Sequence, residues 1–104
     1  MLRRILLLIP VVLLAAAAPI QLQAAPKVVA TIPPIHSLAA MVMEGQGFPQ
    51  LLLSGGETPH SYSLRPSQSR MLADANIVIR VSDGLEGFLK KPLRALAGRA
   101  TVIE

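Results

Sequence analysis

The sequence predicts an α/β fold, a parallel sheet with helices on its faces. Short β-branched apolar runs occur at Lys27 to Ile32, Asn76 to Val81 and Thr101 to Ile103, with a briefer apolar run from Gln50 to Leu53. Between these runs the apolar residues fall at helical spacing, in stretches long enough to cross back over a sheet. The resulting order, strand and helix in strict alternation, is what parallel strands joined by crossover helices require.

The first element precedes the fold. Met1-Leu2-Arg3-Arg4 is a positive start, Ile5 to Ala18 is uncharged and apolar, and Pro19 to Ala25 ends in small residues. That pattern predicts a signal peptide over residues 1–25, with cleavage after Ala24 or Ala25. A membrane span needs about 20 apolar residues, and this run is shorter and broken by Pro10 and Pro19. That leaves residues 26–104 for the α/β fold.

Lys27 to Ile32 is the first strand, stopped at Pro33-Pro34, where a ring replaces the backbone donor. From Ile35, the residues Ile35, Leu38, Ala39, Val42 and Met43 make the stripe of an amphipathic helix that Gly45 and Gly47 end. Gln50 to Leu53 suits a buried second strand. The polar stretch GGETPHSYSLRPSQ (Gly55 to Gln68) follows as a loop, and Pro66 opens a helix reaching about Asp74. Asn76 to Val81 is the third strand. Asp83 is placed to cap the next helix, with Glu86 three residues on and Leu85, Phe88, Leu89, Leu93 and Leu96 as its stripe, Pro92 kinking or shortening it. Thr101 to Ile103 starts another strand, and the end at Glu104 directly after it reads as a truncation, since a buried parallel strand is normally followed by its covering helix.

Composition excludes several functions. The 104 residues hold ten Lys and Arg, six Asp and Glu, and no Cys. Arg3 and Arg4 belong to the leader, so eight basic residues face six acidic ones in the remainder. Such a mild balance, without basic runs, lacks the footprint of a nucleic-acid binder. The missing cysteine excludes disulfides and thiolate metal sites and argues against a lipid-anchored amino terminus. Histidine and carboxylate metal chemistry stays open.

Catalytic patterns are missing as well. Gly45-Gln46-Gly47 follows a helix and lacks the third glycine of a dinucleotide loop, and no nucleophile elbow, H-E-x-x-H or P-loop is present. An exported hydrolase using His60 with Ser61 or Ser63 has no supporting spacing, and the chain reads as a non-enzyme. Met41, Met43 and Met71 lie on helical stripes and are assigned to the core. Lys90, Lys91 and Arg94 are assigned to the negative end of a helix. His36 is out of phase with its stripe and is expected to be solvated or locally hydrogen-bonded. His60 differs, because it sits in the loop after a strand's carboxyl end, where open α/β sheets bind ligands, with Glu57, Ser61 and Tyr62 nearby.

The segments VVATIPPIHSLAAMVMEG and LLLSGGETPHSYSLRPSQSRMLADANIVIRVSDGLEGFLKKPL, with the closing VIE, resemble the amino-terminal part of a known family. It is the zinc-binding periplasmic subunit of ABC transporters, the ZnuA type within the metal-binding cluster of solute-binding proteins. His60 to Ser67 (HSYSLRPS) is similar to the family's H-x-Y-x-L-R-P-S stretch, and ADANIVIRVSDGLEGFL matches the next element, with Glu86 and Phe88 at familiar positions.

The resemblance implies that His60 is the first zinc-ligating histidine, in the cleft of a two-lobed protein that delivers Zn²⁺ to an inner-membrane ABC permease. The other ligands and the second lobe come from later in a longer chain. Where some members carry a Glu immediately before this histidine, this sequence has Pro59. Zn²⁺ takes about four donors, three from protein even when water holds one position, so His60 with Glu57 does not close a site. The expectation is a periplasmic, truncated member unable to bind zinc tightly alone. Two alternatives remain: a manganese- or iron-binding subunit of the same cluster, since imidazole suits several metals, and a nonfunctional secreted remnant or interaction module.

Overall fold

The computed structural model describes residues 19–20, 22–58 and 62–104. Residues 1–18, which carry the leader reading, and His60 lie outside the described residues. Four strands, β1 (Val28–Ala30), β2 (Gln50–Leu51), β3 (Ile77–Ile79) and β4 (Thr101–Ile103), form one sheet. Every pairing is parallel and the order is β2-β1-β3-β4. Three helices connect them: α1 (Pro33–Val42), α2 (Pro66–Asp74) and α3 (Lys90–Leu96), the last preceded by a 3₁₀ turn at Gly87–Leu89.

The strands alternate their faces, as the pleat demands. Val29 and Val78, both fully buried, pack with Leu72 of α2 and with Leu89, Leu93 and Ala97 around α3. The opposite face carries Val28, Ile77, Ile79 and Ile103, which with Ile35, Leu38, Ala39, Val42 and Met43 line an apolar groove of about 400 Å³. The α1 helix rests against β1 and β2, so the groove lies beside it over β3 and β4.

The connections explain where a ligand site can form. From β1 the chain passes to β2 on one side, then crosses back to β3 on the other, so the carboxyl ends of β1 and β3 flank a switch point. At such a point neighbouring loops diverge and leave a crevice. Backbone bonding runs past the strands on this edge, from Thr31 N–H to the Ile79 carbonyl, Leu53 N–H to the Thr31 carbonyl and Arg80 N–H to the Ile103 carbonyl.

Several expectations are corrected. The prolines that stop β1 also open α1, occupying its first two positions where missing N–H groups cost nothing. The α1 stripe is only partly covered: Ala39 is buried, but Leu38 is 60% and Val42 85% exposed. Met41, assigned to the core, is 72% exposed. Only Met71 of the three core-assigned methionines packs against the buried cluster. Asp83 does not cap a helix, because residues 83–85 form a turn and α3 starts later, at Lys90. Lys90 and Lys91 therefore open α3, leaving Arg94 alone in its last turn. Pro92 sits in the first turn, where it neither kinks nor shortens the helix.

Candidate metal centre

The loop between β2 and α2 starts from a buried anchor. Leu52 and Leu53 are each 2% exposed and continue the β2 bonding, with their N–H groups donating to the Ala30 and Thr31 carbonyls. Gly55 and Gly56 then turn the chain at φ of 102° and 82°, a region that side chains with a Cβ rarely enter. Glu57 follows, and His60 lies three residues further along, outside the described residues.

At the far end one buried side chain closes the loop. The Gln68 amide donates to the Leu52 carbonyl at 2.8 Å. Its oxygen accepts from the Arg65 N–H at 2.7 Å and from the Tyr62 hydroxyl at 3.2 Å. Three points of the loop, before and after His60, are thus tied to one amide in α2. Tyr62 also meets Phe88 edge to face, with ring centroids 5.7 Å apart, joining the loop to the 3₁₀ turn. These contacts make Tyr62 a packing and locally bonding residue, and Arg65 stands at the start of α2, with the Ser69 N–H donating to its carbonyl.

Glu57 is the unusual member of the loop. Its side chain is 12% exposed and its Oε1 lies 3.8 Å from Arg65 Nη2, beyond hydrogen-bond range. Among the described residues its buried Oε2 has no hydrogen-bond partner.

Next to the loop, the switch point is filled by Glu86. It is fully buried, and its carboxylate accepts from Thr31 Oγ1, from the Val81 N–H at 2.8 Å and from the Ser82 N–H at 3.3 Å. Sequence reading gave Glu86 a helix-capping role; instead it joins the end of β1 to the turn after β3. Both of its oxygens are thereby engaged, one by the Thr31 hydroxyl and the other by the two backbone amides. His36 is likewise accounted for: Nε2 lies 2.9 Å from the Pro49 carbonyl, which only accepts, so that nitrogen carries a proton. Among the described residues, no group of three or more His, Asp or Glu is gathered for a metal.

A separate ion cluster stands at the ends of β3 and β4. Arg80, 5% exposed, pairs with Asp83 and reaches Glu104 Oε1 at 2.7 Å, while Lys90 lies 3.8 Å from Asp83. Burial works against the Arg80 charge, but the Asp83 hydrogen bond and the carboxylates of Asp83, Glu104 and Glu86 outweigh it and raise its pKa. The hydrogen bond from Arg80 holds the Asp83 carboxyl below its ordinary value, helped by the charges of Arg80, Lys90 and Arg94. Sequence reading missed this cluster, since Arg80 sits within an apolar strand run.

The family model for the periplasmic component A of zinc-uptake complexes, ZnuA, matches residues 28–104. The chain belongs to the ZnuA family. A relative from Brucella abortus (strain 2308), the high-affinity zinc uptake system protein ZnuA, is 37% identical over 76 residues, covering 73% of this chain and 23% of the relative. The chain spans about a quarter of the length of the curated relatives it matches. Among solved structures, the Zn(II)-bound ZnuA-like domain of Streptococcus pneumoniae AdcA superposes with a TM-score of 0.66 at 21% identity, over 76% of this chain and 30% of that one. A Mn-bound periplasmic metal-binding protein from Candidatus Liberibacter asiaticus superposes with a TM-score of 0.67 at 17% identity, over 75% and 29%. These likenesses establish the fold as part of a ZnuA-like solute-binding protein.

Proposed function

We propose that the chain contributes the first metal-ligating histidine, His60, to a periplasmic solute-binding protein that captures Zn²⁺ for uptake. The observation that carries this reading is the loop itself. It leaves the carboxyl edge of a parallel sheet, bears the HSYSLRPS stretch, and is fastened on both sides of His60 by Gln68. Zinc is the cargo here. His60 would offer a neutral ring nitrogen, while the long form of the protein would supply the remaining donors and pass the ion to an inner-membrane ABC permease. Residues 1–25 serve as the export signal and residues 26–104 as the amino-terminal part of the first lobe. No described helix is long and apolar enough to cross a membrane.

Calorimetric titration with Zn²⁺ tests the assignment. One histidine and a carboxylate fall short of the three or four donors zinc prefers, so the chain is expected to bind weakly. His60→Ala is expected to remove that weak binding, and binding unchanged in the variant would refute the role of His60. The manganese alternative is favoured by the Mn-bound structural neighbour. Intrinsic affinity rises from Mn²⁺ to Zn²⁺ at shared nitrogen and oxygen donors, so competition with Mn²⁺ should leave zinc bound. Displacement of zinc by equimolar Mn²⁺ would select the manganese reading instead.

A further inference from the structure

One face of the sheet has only half of its cover. The α1 helix lies over β1 and β2, and the apolar groove of about 400 Å³ beside it leaves Ile77, Ile79 and Ile103 of β3 and β4 without a covering layer. The helix that walls the groove is apolar on its outer side as well. Leu38 and Val42, which line the groove, are 60% and 85% exposed. Met41 is 72% exposed and stands about 200° round the helix from buried Ala39. Apolar surface of this kind, continuous from a helix to a sheet, is where other surfaces dock.

Shape and charge select a second copy of this chain. The face carries one ridge, α1, and one groove beside it, so a two-fold rotation can seat each ridge in the groove of the other copy. From the middle of β1 and β2 to the middle of β3 and β4 is two strand spacings, about 9–10 Å. Packed helices lie about 8–10 Å apart, so two α1 helices fit side by side between two sheets. The axis must run along the strands, because an axis across them returns helix to helix and one normal to the sheet leaves the two faces apart. Such an axis keeps the amino ends of both sheets at the same end of the pair. That end holds Glu44, in the turn after α1, and Arg99, in the turn before β4, both exposed and of opposite charge. The rotation carries Glu44 of each copy towards Arg99 of the other, while α1 itself, Pro33–Val42, has no charged residue to oppose burial. We propose that this face is a self-association surface, on which two copies pack α1 into the groove of one another, with Glu44 and Arg99 paired across the two-fold at its rim. The pairing gives each parallel sheet the second covering layer that such sheets ordinarily have. Below its Kd the chain is a monomer with the groove open.

Sedimentation equilibrium of the purified chain, from roughly micromolar to millimolar concentration, tests this. An interface of this small size is expected to give a micromolar Kd. Val42→Glu, at a position 85% exposed in the single copy, is expected to weaken dimerisation at least about tenfold, because it buries an unpaired charge only in the dimer. Glu44→Arg and Arg99→Glu should each weaken it several-fold by setting like charges at the rim, and the chain carrying both should recover the parent's Kd. A parent that stays monomeric throughout overturns the proposal, since the face is then open or covered from within the chain. A dimer that Val42→Glu leaves intact overturns it too, by placing the interface elsewhere. Single reversals without effect, or a double reversal that restores nothing, refute the two-fold packing. Circular dichroism checks that each variant keeps the parent's fold.

Discussion

At the scale of single residues, buried polar side chains decide how the ligand edge is built. Glu86 holds three donors from two separated segments, and no water can take its place at full burial. Glu86→Ala should strand the Val81 and Ser82 amides and the Thr31 hydroxyl, costing about 2–4 kcal/mol of stability. Urea unfolding measures it, and a change below about 1 kcal/mol would contradict the arrangement. The presence of Glu86 in a family-like pattern was legible in the sequence, but its partner Thr31 lies 55 residues away. A capping role was the local reading, and burial against a distant strand overrode it. The reading of His60 as a ligand draws on its place in the loop and on the motif around it, and His60 lies outside the described residues. The burial of Glu57 was not legible at all, because burial is a property of an atom's surroundings.

At the scale of elements, the turn between β3 and α3 departs furthest from its local signals. Asp83 has the composition of a cap, yet it faces Arg80, whose side chain is buried at the end of β3. Because the native Asp83 pKa lies below the ordinary 3.8, its ion pair contributes stability that is fully present above that value. The contribution is lost as the pH falls through the depressed native value. Asp83→Asn should therefore flatten the acid limb of the stability profile and leave the shape near neutral pH unchanged, as read from urea midpoints between pH 2 and pH 6. An unchanged acid limb would mean that the pair does not form in solution. The elements without such cross-chain pairs were read closely: α2 runs from Pro66 to Asp74 as its proline and apolar spacing indicate, and β4 covers Thr101–Ile103. For α1 the spacing located the helix but not the burial of its stripe, since exposure depends on what lies opposite Leu38 and Val42.

At the scale of the whole molecule, the two faces of the sheet carry unequal loads. Parallel strands are ordinarily covered on both sides. Here α2 and α3 enclose one face, while the other has α1 over β1 and β2 and an apolar groove over β3 and β4. Val78→Ala, at a fully buried position between α2 and α3, should cost about 2–3 kcal/mol, whereas Ile103→Ala, at a residue 45% exposed, should cost less than about 1 kcal/mol although it removes more atoms. Thermal unfolding of the pair checks this, and equal losses would show the groove to be filled in solution.

The sequence by itself determined the class of fold, the order of its elements and the histidine-bearing loop. Those features follow from periodicity, prolines and short motifs, which are properties of neighbouring residues. Only the tertiary structure decided the strand order β2-β1-β3-β4, the enclosure of Glu86 and Arg80 and the closure of the loop by Gln68. These depend on which distant segments meet, and whether a buried polar atom finds a partner is settled only once they have met.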